Sequence, residues 1–490
     1  MPGHRTARVA LAAAVATFAV GAAAAHAGPP AAGRPNVVVI ETDDQTAASL
    51  WAMPTVKRLL ADRGVTFDNS FVSYALCCPS RATFLTGQYA HNHGVFANVP
   101  PDGGYYKLDS TSTLPVWLQA AGYRTIHVGK YLNQYGRRDP AEVPPGWTDW
   151  HALVDPTTYN YYGFTINDNG HPHKFARTRA NYQTDVLTQK AVNAIVRASR
   201  GGKPFFMWTA FVAPHYSFGD SPEPDDPDRA LMPTPVPAPR DRNRFASEPL
   251  PLGPSFDERD VSDKPVTVRQ YRPLSARLGI AIQENYQQEL ETLQAVDRGV
   301  GRIVETLRQR GQLARTLLVF TSDNGYFHGE HRLPREKTLP YEPSIRVPLV
   351  IRGPGLPHGV HLSQLVSNQD LAPTILQVAR GSAGLPQDGL SLMPLIHHPK
   401  REPGRDLLIE GFYPYGQPVG FEGVRTRQWF YAEYSNGERE LYDLIADPDE
   451  TTSLDSDPLY AAVEADLARR LAALRNCSGA SCLTRPAHHP

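Results

Sequence analysis

The stretch VVVIETDD, residues 37–44, joins four apolar residues to a segment that ends in an acidic pair, Asp43 and Asp44. A short, continuously apolar run is typical of a strand that is buried on both faces of a parallel sheet. Polar residues that directly follow such a strand lie at its carboxyl end, where open α/β sheets bind their ligands. The stretch therefore predicts a central strand with chemistry at its end.

Three further apolar runs have the same form. Each is followed by a residue able to do chemistry: residues 317–320 precede Asp323 and Asn324, residues 125–128 precede Lys130, and residues 205–211 precede His215. Helical patterns at residues 114–121, 184–199 and 290–307 alternate with these runs. Because the carboxyl ends of parallel strands share one edge of a sheet, we expect one common site. The predicted fold is α/β, with a large mixed, mostly parallel sheet sandwiched by helices.

The sequence pattern changes from about residue 404, where alternating strands and helices give way to several short strands. The segments DLLIEGF, GVRTRQWFYAEY and ERELYDL indicate short strands of an antiparallel sheet, with Asn436 and Gly437 in a hairpin position. A final helix covers residues 463–474. We therefore expect a catalytic α/β domain over residues 28–403 and a smaller C-terminal subdomain, an antiparallel sheet plus a helix, over residues 404–490.

A Pro-rich, charged segment at about residues 213–275 interrupts the alternation of strands and helices. It reads either as a linker or as a long surface insertion. The same strand and helix patterns resume after it, which favours an insertion near the site.

The N-terminus has the form of an export signal. Arg5 and Arg8 precede an Ala/Val-rich run at residues 9–25, and the motif AHA at residues 25–27 fits a cleavage site. A membrane anchor is the alternative, but the run is short and Ala-rich for a bilayer span. We expect residues 1–27 to be a signal peptide and the protein to be secreted, periplasmic or held at the cell surface.

The overall composition excludes several classes of protein. With 49 Lys and Arg against 50 Asp and Glu, the net charge is -1, so the bulk charge recruits neither nucleic acid nor an anionic membrane. Beyond the N-terminal run, the sequence offers no bilayer-spanning segment, so stable membrane insertion is not expected. Any anion must be captured by local groups.

The four cysteines form two pairs. Cys477 and Cys482 enclose a small loop and are predicted to form a disulfide, which export permits. Cys77 and Cys78 are adjacent, and Pro79 fits the first turn of a helix, whose N-terminus attracts anions and depresses the pKa of a thiol. A vicinal disulfide or two inert buried thiols are the alternatives.

The segment CCPSRATFLTG, residues 77–87, resembles the sulfatase signature, CxPSR followed at fixed spacing by LTG. In that family the first cysteine is oxidised to formylglycine (3-oxoalanine) by a formylglycine-generating enzyme, and Cys77 holds its position here. IETDDQ, GKYLNQYG, VAPH, TSDNGY and EKTLPYEPSIRVPL resemble further family motifs in the family's order. GKYLNQYG, PPGWTDW and YNYYGFTIN look closest to the N-acetylglucosamine-6-sulfatase branch and the related heparan 6-O-endosulfatases.

This resemblance implies a metal site and its ligands. The ligand set carried over from the family is Asp43, Asp44, Cys77, Asp323 and Asn324. Carboxylate and amide oxygens are hard donors, which suit Ca²⁺, with Mg²⁺ as the alternative, and are poor for Zn²⁺. A single Asp-Asp pair is often only a helix cap, but two acidic pairs in equivalent positions disfavour that interpretation.

The resemblance also implies the chemistry. Arg81, Lys130 and Lys337 would stabilise the charge of a sulfate ester, and His215, titrating near neutrality, would protonate the leaving oxygen. One hydroxyl of the hydrated aldehyde at residue 77 attacks sulfur and expels the sugar alcohol; the other loses its proton as the aldehyde reforms and sulfate leaves. The implied substrate is a sulfated carbohydrate, N-acetylglucosamine-6-sulfate-like.

The chain departs from the family pattern at one position. Many sulfatases have a histidine two residues beyond the first lysine, where this chain has Leu132. His91 and His93 lie near the signature and are expected to be structural. His331 is also unusual for the branch and is assigned no role.

Three alternative functions stay open at this point. The first two are an arylsulfatase and a phosphomonoester or phosphodiester hydrolase on the same fold. The phosphatase alternative is disfavoured because two-zinc enzymes need extra histidine ligands, whereas the second pair here is Asp323-Asn324. The third is a non-catalytic protein that binds sulfated glycans.

Overall fold

A ten-stranded mixed sheet forms the centre of the fold in the computed structural model, which describes residues 1–3, 33–218, 231–411 and 419–483. Most of the predicted signal peptide, residues 4–27, lies outside the described residues, as do residues 219–230 of the predicted insertion. Among the described helices, each is too short or too polar to cross a membrane.

The strands in chain order are β1 (Asn36–Asp43), β2 (Val65–Phe67), β3 (Ser70–Phe71), β4 (Arg124–Gly129), β5 (Asp149–Leu153), β6 (Thr165–Asp168), β7 (His171–Lys174), β8 (Phe205–Pro214), β9 (Thr316–Ser322), β10 (Leu349–Arg352), β11 (Val360–Leu362), β12 (Val366–Ser367), β13 (Leu407–Gly411), β14 (Phe421–Arg425), β15 (Trp429–Tyr434) and β16 (Arg439–Asp443). The helices are α1 (Pro54–Leu59), α2 (Cys77–Thr86), α3 (Ala90–His93), α4 (Leu114–Ala120), α5 (Gln183–Ala198), α6 (Val266–Arg269), α7 (Ala276–Gln309), α8 (Glu342–Ile345), α9 (Leu371–Ala379), α10 (Met393–His397) and α11 (Ala461–Leu474).

The four apolar runs predicted from the sequence are neighbours in the large sheet, in the order β9-β1-β8-β4. These strands are parallel to one another, so their carboxyl ends lie at one edge. Strand β10 and the β5-β6-β7 group add antiparallel pairs on the two sides. The predicted mixed, mostly parallel sheet is confirmed.

Both faces of the central strands are covered, which explains why their sequences are continuously apolar. Val37 and Val39 of β1 belong to a core that includes residues of α4 and α9. Val38 and Ile40 point to the other face and belong to a core that includes residues of α5 and α7. Alternate side chains of one strand thus stabilise two separate layers.

Helix α7 is longer than the sequence pattern predicts. The apolar spacing indicates residues 290–307, but the helix begins at Ala276, where the side chain of Ser275 accepts a hydrogen bond from the N–H of Leu278. Its N-terminal half buries polar residues such as Asn285 and Gln288. An apolar pattern does not detect a helix surface that is buried through polar side chains.

The C-terminal strands β13 to β16 form a separate antiparallel sheet in sequential order. The sequence indicates one strand for GVRTRQWFYAEY, but this segment contains parts of two strands. Arg425 ends β14 and Trp429 begins β15. In the turn between them, the Thr426 hydroxyl accepts a hydrogen bond from the Trp429 N–H. The hairpin at Gly437 and the disulfide between Cys477 and Cys482 are confirmed.

Candidate active site

The carboxyl ends of the four central strands bring the predicted polar residues together. Asp43 ends β1 and Lys130 follows β4, and the Lys130 ammonium donates to the Asp43 carboxylate. Asn324, just beyond β9, donates its amide N–H to Asp44 Oδ1 at 2.6 Å. His215, just beyond β8, has Nε2 3.6 Å from Asp44 Oδ2. The shared site expected from the sequence is therefore present as a geometric cluster.

Cys77 reaches this cluster because it is the first residue of α2. Leu76 precedes the helix in an extended conformation, and Gly87 ends it in a left-handed conformation with φ 70°. Every residue of α2 is buried. The Cys77 thiol lies 3.6 Å from Asp43 Oδ1, so the helix places residue 77 beside the first acidic pair.

The thiols themselves are not activated by the helix N-terminus. Burial raises the pKa of Cys77 to about 12 and outweighs the attraction of Lys130 and Lys337. Burial likewise raises the pKa of Cys78 to about 12. The expected depression of the thiol pKa is wrong, because desolvation dominates at a site that excludes water. Both cysteines are free, which excludes the vicinal disulfide.

The acidic groups are balanced by buried cations. Lys337 Nζ donates to both oxygens of Asp44 at 2.6 Å. Burial opposes the charge of Lys337, but the Asp44 carboxylate outweighs it and raises the pKa of Lys337 well above its ordinary value. Burial also acts to raise the pKa of Asp43, yet Lys130 and other nearby cations hold it below its ordinary range. The site is thus a set of ionised pairs.

Arg81 lies behind this set of ion pairs. The Arg81 Nε donates to Asp323 Oδ2 at 2.7 Å. Its Nη1 donates to the carbonyl of Lys130 at 2.9 Å and lies 3.3 Å from Glu41 Oε2. The side chain is fully buried and does not line the adjoining cavity. The sequence suggests that Arg81 reaches the bound anion, whereas the structure places it against the protein's own carboxylates.

The donor set fits a hard metal ion. Ligand atoms of Asp43, Asp44, Cys77 and His215 all lie within 4.8 Å of one another. The Oδ1 of Asn324 is buried without a hydrogen-bond partner, as expected of an oxygen placed for a cation. Carboxylate and amide oxygens in this arrangement suit Ca²⁺ or Mg²⁺. His215 joins this group although the sequence assigns it no ligand role, whereas the predicted ligand Asp323 is not one of the four and accepts from Arg81 instead.

His215 is oriented by its backbone neighbour. Its Nδ1 lies 2.7 Å from the carbonyl oxygen of Tyr216, which leaves Nε2 toward Asp44. Burial lowers the pKa of His215 below its ordinary value, and the Asp44 carboxylate offsets this only in part. Burial thus works against the protonated imidazole that an acid at this position requires.

A cavity of about 750 Å³ opens next to the cluster. His215 and Lys337 line it together with Leu76, the residue before Cys77. The other lining residues are Asn98, Val99, Asn133, Gln134, Arg137, Asp155, Pro156, Tyr159, Tyr216, Phe218, Tyr271, Pro334, Arg335 and Glu336. This volume lies within the range of about 300–1,000 Å³ that holds drug-sized ligands, so a sugar fits.

Sequence reasoning missed several residues that hold the site together. Asn98 accepts a hydrogen bond from the Cys78 N–H at 2.8 Å and so caps α2 from another loop. Tyr159 stacks 4.3 Å from His215 and lies 4.8 Å from the Lys130 ammonium, and its hydroxyl accepts from Asn133 at 2.7 Å. Only long-range packing reveals these contacts, because no local pattern sets them apart.

The remaining histidines and Leu132 have structural partners. His91 lies 2.7 Å from Glu410, His93 lies 3.0 Å from the Thr83 hydroxyl, and His331 lies 2.6 Å from Glu258. The structural interpretation of His91 and His93 is confirmed. Leu132 packs in the apolar core, so its own side chain takes no part in the polar cluster.

Comparison with known proteins gives matches along most of the chain. A family model described as Sulfatase matches residues 35–382, and one described as N-sulphoglucosamine sulphohydrolase, C-terminal, matches residues 329–477. The chain is 34% identical over 510 residues to an arylsulfatase from Volvox carteri, covering 95% of this chain and 77% of the relative. It is 33% identical over 498 residues to N-acetylglucosamine-6-sulfatase from Homo sapiens, and the match covers 92% of this chain and 86% of the relative.

The solved structures give the same picture. One neighbour, described as a complex with its substrate D-glucosamine-2-N,6-O-disulfate, has a TM-score of 0.76 and 26% sequence identity. The alignment covers 90% of this chain and 97% of that chain. The likeness therefore extends over most of the chain.

Proposed function

Because this chain belongs to the sulfatase family and is a sulfuric ester hydrolase, we propose that it removes sulfate from an N-acetylglucosamine-6-sulfate-like unit of a carbohydrate. The observation that carries the proposal is the position of Cys77. The residue begins a buried helix 3.6 Å from Asp43 and directly follows Leu76 in the wall of a sugar-sized cavity. This position supports the assignment of residue 77 as the group that meets the sulfur of a bound ester.

The unmodified thiol is a poor nucleophile here because burial keeps it protonated. Oxidised to formylglycine, residue 77 would supply, as its hydrate, one hydroxyl to attack sulfur and a second to lose its proton when sulfate is released. The full burial of Cys77 supports modification by a formylglycine-generating enzyme before the chain folds. This modification is part of the proposal.

The acidic cluster would hold a divalent cation. We assign Asp43, Asp44, residue 77, Asp323 and Asn324 as its ligands, with Ca²⁺ favoured and Mg²⁺ as the alternative. When bound, the ion would supply Lewis-acid stabilisation of sulfate charge. Asp323 is oriented for this role by Arg81, which we assign as a positioning residue rather than a contact to the substrate.

Two lysines would bind the sulfate oxygens. Lys337 lines the cavity, and Lys130 lies against Asp43 behind Tyr159. Preorganised cations at the point where negative charge develops lower the barrier without reorganisation. His215 presents Nε2 toward the same region. Because Nδ1 already donates to the Tyr216 carbonyl, the ring must be doubly protonated to protonate the leaving sugar oxygen, and an anionic sulfate bound nearby would favour that form.

The substrate class rests on the relatives. Human N-acetylglucosamine-6-sulfatase is one of them, and one structural neighbour is described with a glucosamine disulfate as its substrate. We also propose that the protein is exported, on the basis of the signal-like residues 1–27. Release from the cell and retention at its surface are both consistent with export.

The proposal is tested by sulfate release from purified protein. We expect hydrolysis of N-acetylglucosamine 6-sulfate, weaker hydrolysis of an aryl sulfate, little of an aryl phosphate, and none by a Cys77→Ala variant. A preference for the aryl sulfate would favour the arylsulfatase alternative, and a preference for the phosphate would favour the phosphatase. Carbohydrate binding by calorimetry without turnover would identify a non-catalytic binding protein.

A further inference from the structure

Two arginines line the cavity outside the cluster of buried ion pairs. Arg137 belongs to the loop that begins with Lys130 after β4, and Arg335 lies two residues before Lys337. Both arginine side chains are exposed, whereas both lysines are buried. Each loop that supplies an inner lysine therefore also supplies an outer arginine.

In the part of the chain that the structure describes, the outer arginines have almost no carboxylate partners. Among the described residues, no carboxylate oxygen lies within 4.0 Å of the Arg137 guanidinium. The Nε of Arg335 lies 4.0 Å from Glu336 Oε1, which is the longest distance of an ion pair. The inner lysines, in contrast, contact Asp43 and Asp44 directly. An unpaired guanidinium in a cavity wall is a ready binding group for a sulfate or a carboxylate.

The rest of the cavity wall favours a sugar ring between these charges. The Phe218 ring packs against Tyr159 and Tyr216, with centroids 4.9 and 5.1 Å apart, and both tyrosine rings contact His215. Phe218 remains 62% exposed, so this aromatic wall has an apolar surface available to a ligand. Asn133 lies at the same cavity with a buried, unpartnered Oδ1, which can accept from a sugar hydroxyl.

We propose that Arg137 and Arg335 bind a second anionic group of the substrate. The group is a sulfate on the same sugar or a carboxylate on the next one, while the inner site holds the sulfate that is hydrolysed. The preferred substrate is thus a carbohydrate with at least two negative charges. This inference rests on the proposed sulfatase function and deepens it.

A neighbouring residue gives a matched control. Arg138 is also exposed and carries the same charge, but its guanidinium stacks on Tyr106, 4.1 Å from the ring centroid, and it does not line the cavity. A change of Arg138→Gln alters the net charge of the protein as Arg137→Gln does. It therefore separates a specific contact from the general electrostatic field.

The experiment measures kcat/KM for two matched pairs of substrates. The first pair is glucosamine 6-O-sulfate with an N-sulfate or with an N-acetyl group. The second is N-acetylglucosamine 6-sulfate with or without an adjoining uronic acid. The protein prefers the more anionic member of at least one pair, and that pair identifies the source of the second charge. In Arg137→Gln and Arg335→Gln we expect the preference to fall about tenfold through KM.

The Arg138→Gln variant keeps the wild-type preference. The same ranking appears in binding affinities to a Cys77→Ser protein, measured by calorimetry, which does not require turnover. Equal rates within both pairs, or an unchanged preference in Arg137→Gln and Arg335→Gln while sulfate is still released, contradicts this inference alone. No sulfate release from any substrate contradicts the proposed function and this inference with it.

Discussion

Two buried lysines have similar burial and different surroundings. Lys337 lies at the catalytic edge, by which we mean the site at the carboxyl ends of β9, β1, β8 and β4, and Lys264 lies near the C-terminal sheet. Lys337 is 5% exposed and lines the cavity, and among the described residues its ammonium has Asp44 alone at hydrogen-bond distance. Lys264 is 1% exposed, and its ammonium lies 2.9–3.1 Å from Asp263, Glu258 and the carbonyl of Thr451. The first lysine has donors left for a ligand, whereas the second is saturated by the protein.

Two buried carbonyl-type oxygens show a similar contrast. Beside the acidic pair, Asn324 Oδ1 is buried without a hydrogen-bond partner. In the C-terminal sheet, the buried Glu440 accepts hydrogen bonds from the hydroxyls of Tyr341, Tyr434 and Tyr442. Because buried polar atoms are usually satisfied, an unsatisfied oxygen beside the acidic pair supports a ligand at that position. For these two lysines, burial is similar and the number of protein partners differs.

The largest effect is expected from Cys77→Ala. The change removes the proposed nucleophile from a buried helix without adding bulk, so kcat for sulfate ester hydrolysis falls by a factor on the order of 10⁴ or more. Thermal unfolding followed by circular dichroism shows a Tm close to that of the wild type. As a control, Cys78→Ala, one residue along the same helix, retains measurable turnover. Undiminished activity in Cys77→Ala contradicts the account.

The second prediction sets the two lysines against each other. Lys337→Met removes a cation from the sulfate site, and kcat/KM falls by about 10²–10³. Lys264→Met removes the buried cation between Glu258 and Asp263 and lowers the free energy of unfolding by about 3 kcal/mol, with kcat of the folded fraction unchanged. Steady-state kinetics and urea unfolding of both variants provide the measurement. Comparable losses of kcat in both variants remove the distinction between the regions.

Metal binding is expected to stabilise only the catalytic edge directly. Ca²⁺ at about 100 to 1,000 times its dissociation constant adds about 3–4 kcal/mol to the free energy of unfolding, because it binds the folded cluster. The Tm of chelator-treated protein therefore rises when Ca²⁺ is added back. Asp44→Asn weakens this rise, whereas Glu440→Gln, in the C-terminal sheet, retains it. An equal Ca²⁺ response in Asp44→Asn and the wild type argues against the assigned ligands.

The smallest effect concerns the connection between the two regions. The Nδ1 of His91 lies 2.7 Å from Glu410 Oε1, and its Nε2 lies 2.8 Å from the Cys477 carbonyl oxygen. Burial opposes the charge of His91, but these interactions outweigh it and raise the pKa of His91 to about 9. Because the folded pKa lies above the ordinary 6.5, this stabilisation is present below pH 6.5 and is lost as the pH rises through 9. His91→Gln should remove about 2 kcal/mol of pH-dependent stability over that window.

Urea unfolding at several pH values measures this dependence. The exposed pair His361–Asp68 supplies the control, because a solvent-exposed ion pair contributes little. His361→Gln therefore keeps the wild-type pH profile of stability. A flat profile in the wild type, or the same profile in His91→Gln, shows that this connection does not depend on the imidazolium charge.

Much of the fold was predictable from local patterns. Four continuously apolar runs predict parallel neighbours because only strands covered on both faces have such sequences, and β9, β1, β8 and β4 are adjacent. The start of α7 was not predictable, since its first turns bury polar side chains such as Asn285. The split of one C-terminal segment into β14 and β15 was missed because its turn carries no glycine or proline.

The site was predictable where residues follow strands and not where they meet across loops. Asp43, Lys130 and His215 share one edge because their strands do. Asn98 and Tyr159 reach the site from loops, and only the folded chain brings them to Cys78 and His215. The pKa values were the least predictable feature, because the desolvation of Cys77 depends on how completely the surrounding residues exclude water.

The most direct test of the central claim is the mass of the tryptic peptide from Gly64 to Arg81, which contains Cys77 and Cys78. It should be measured on protein from its own host, in a preparation that hydrolyses a sulfate ester. The account predicts that residue 77 has lost its sulfur and carries an aldehyde, while Cys78 keeps its thiol. A peptide with both thiols intact, from a preparation with full activity, contradicts the assignment of residue 77 as the nucleophile.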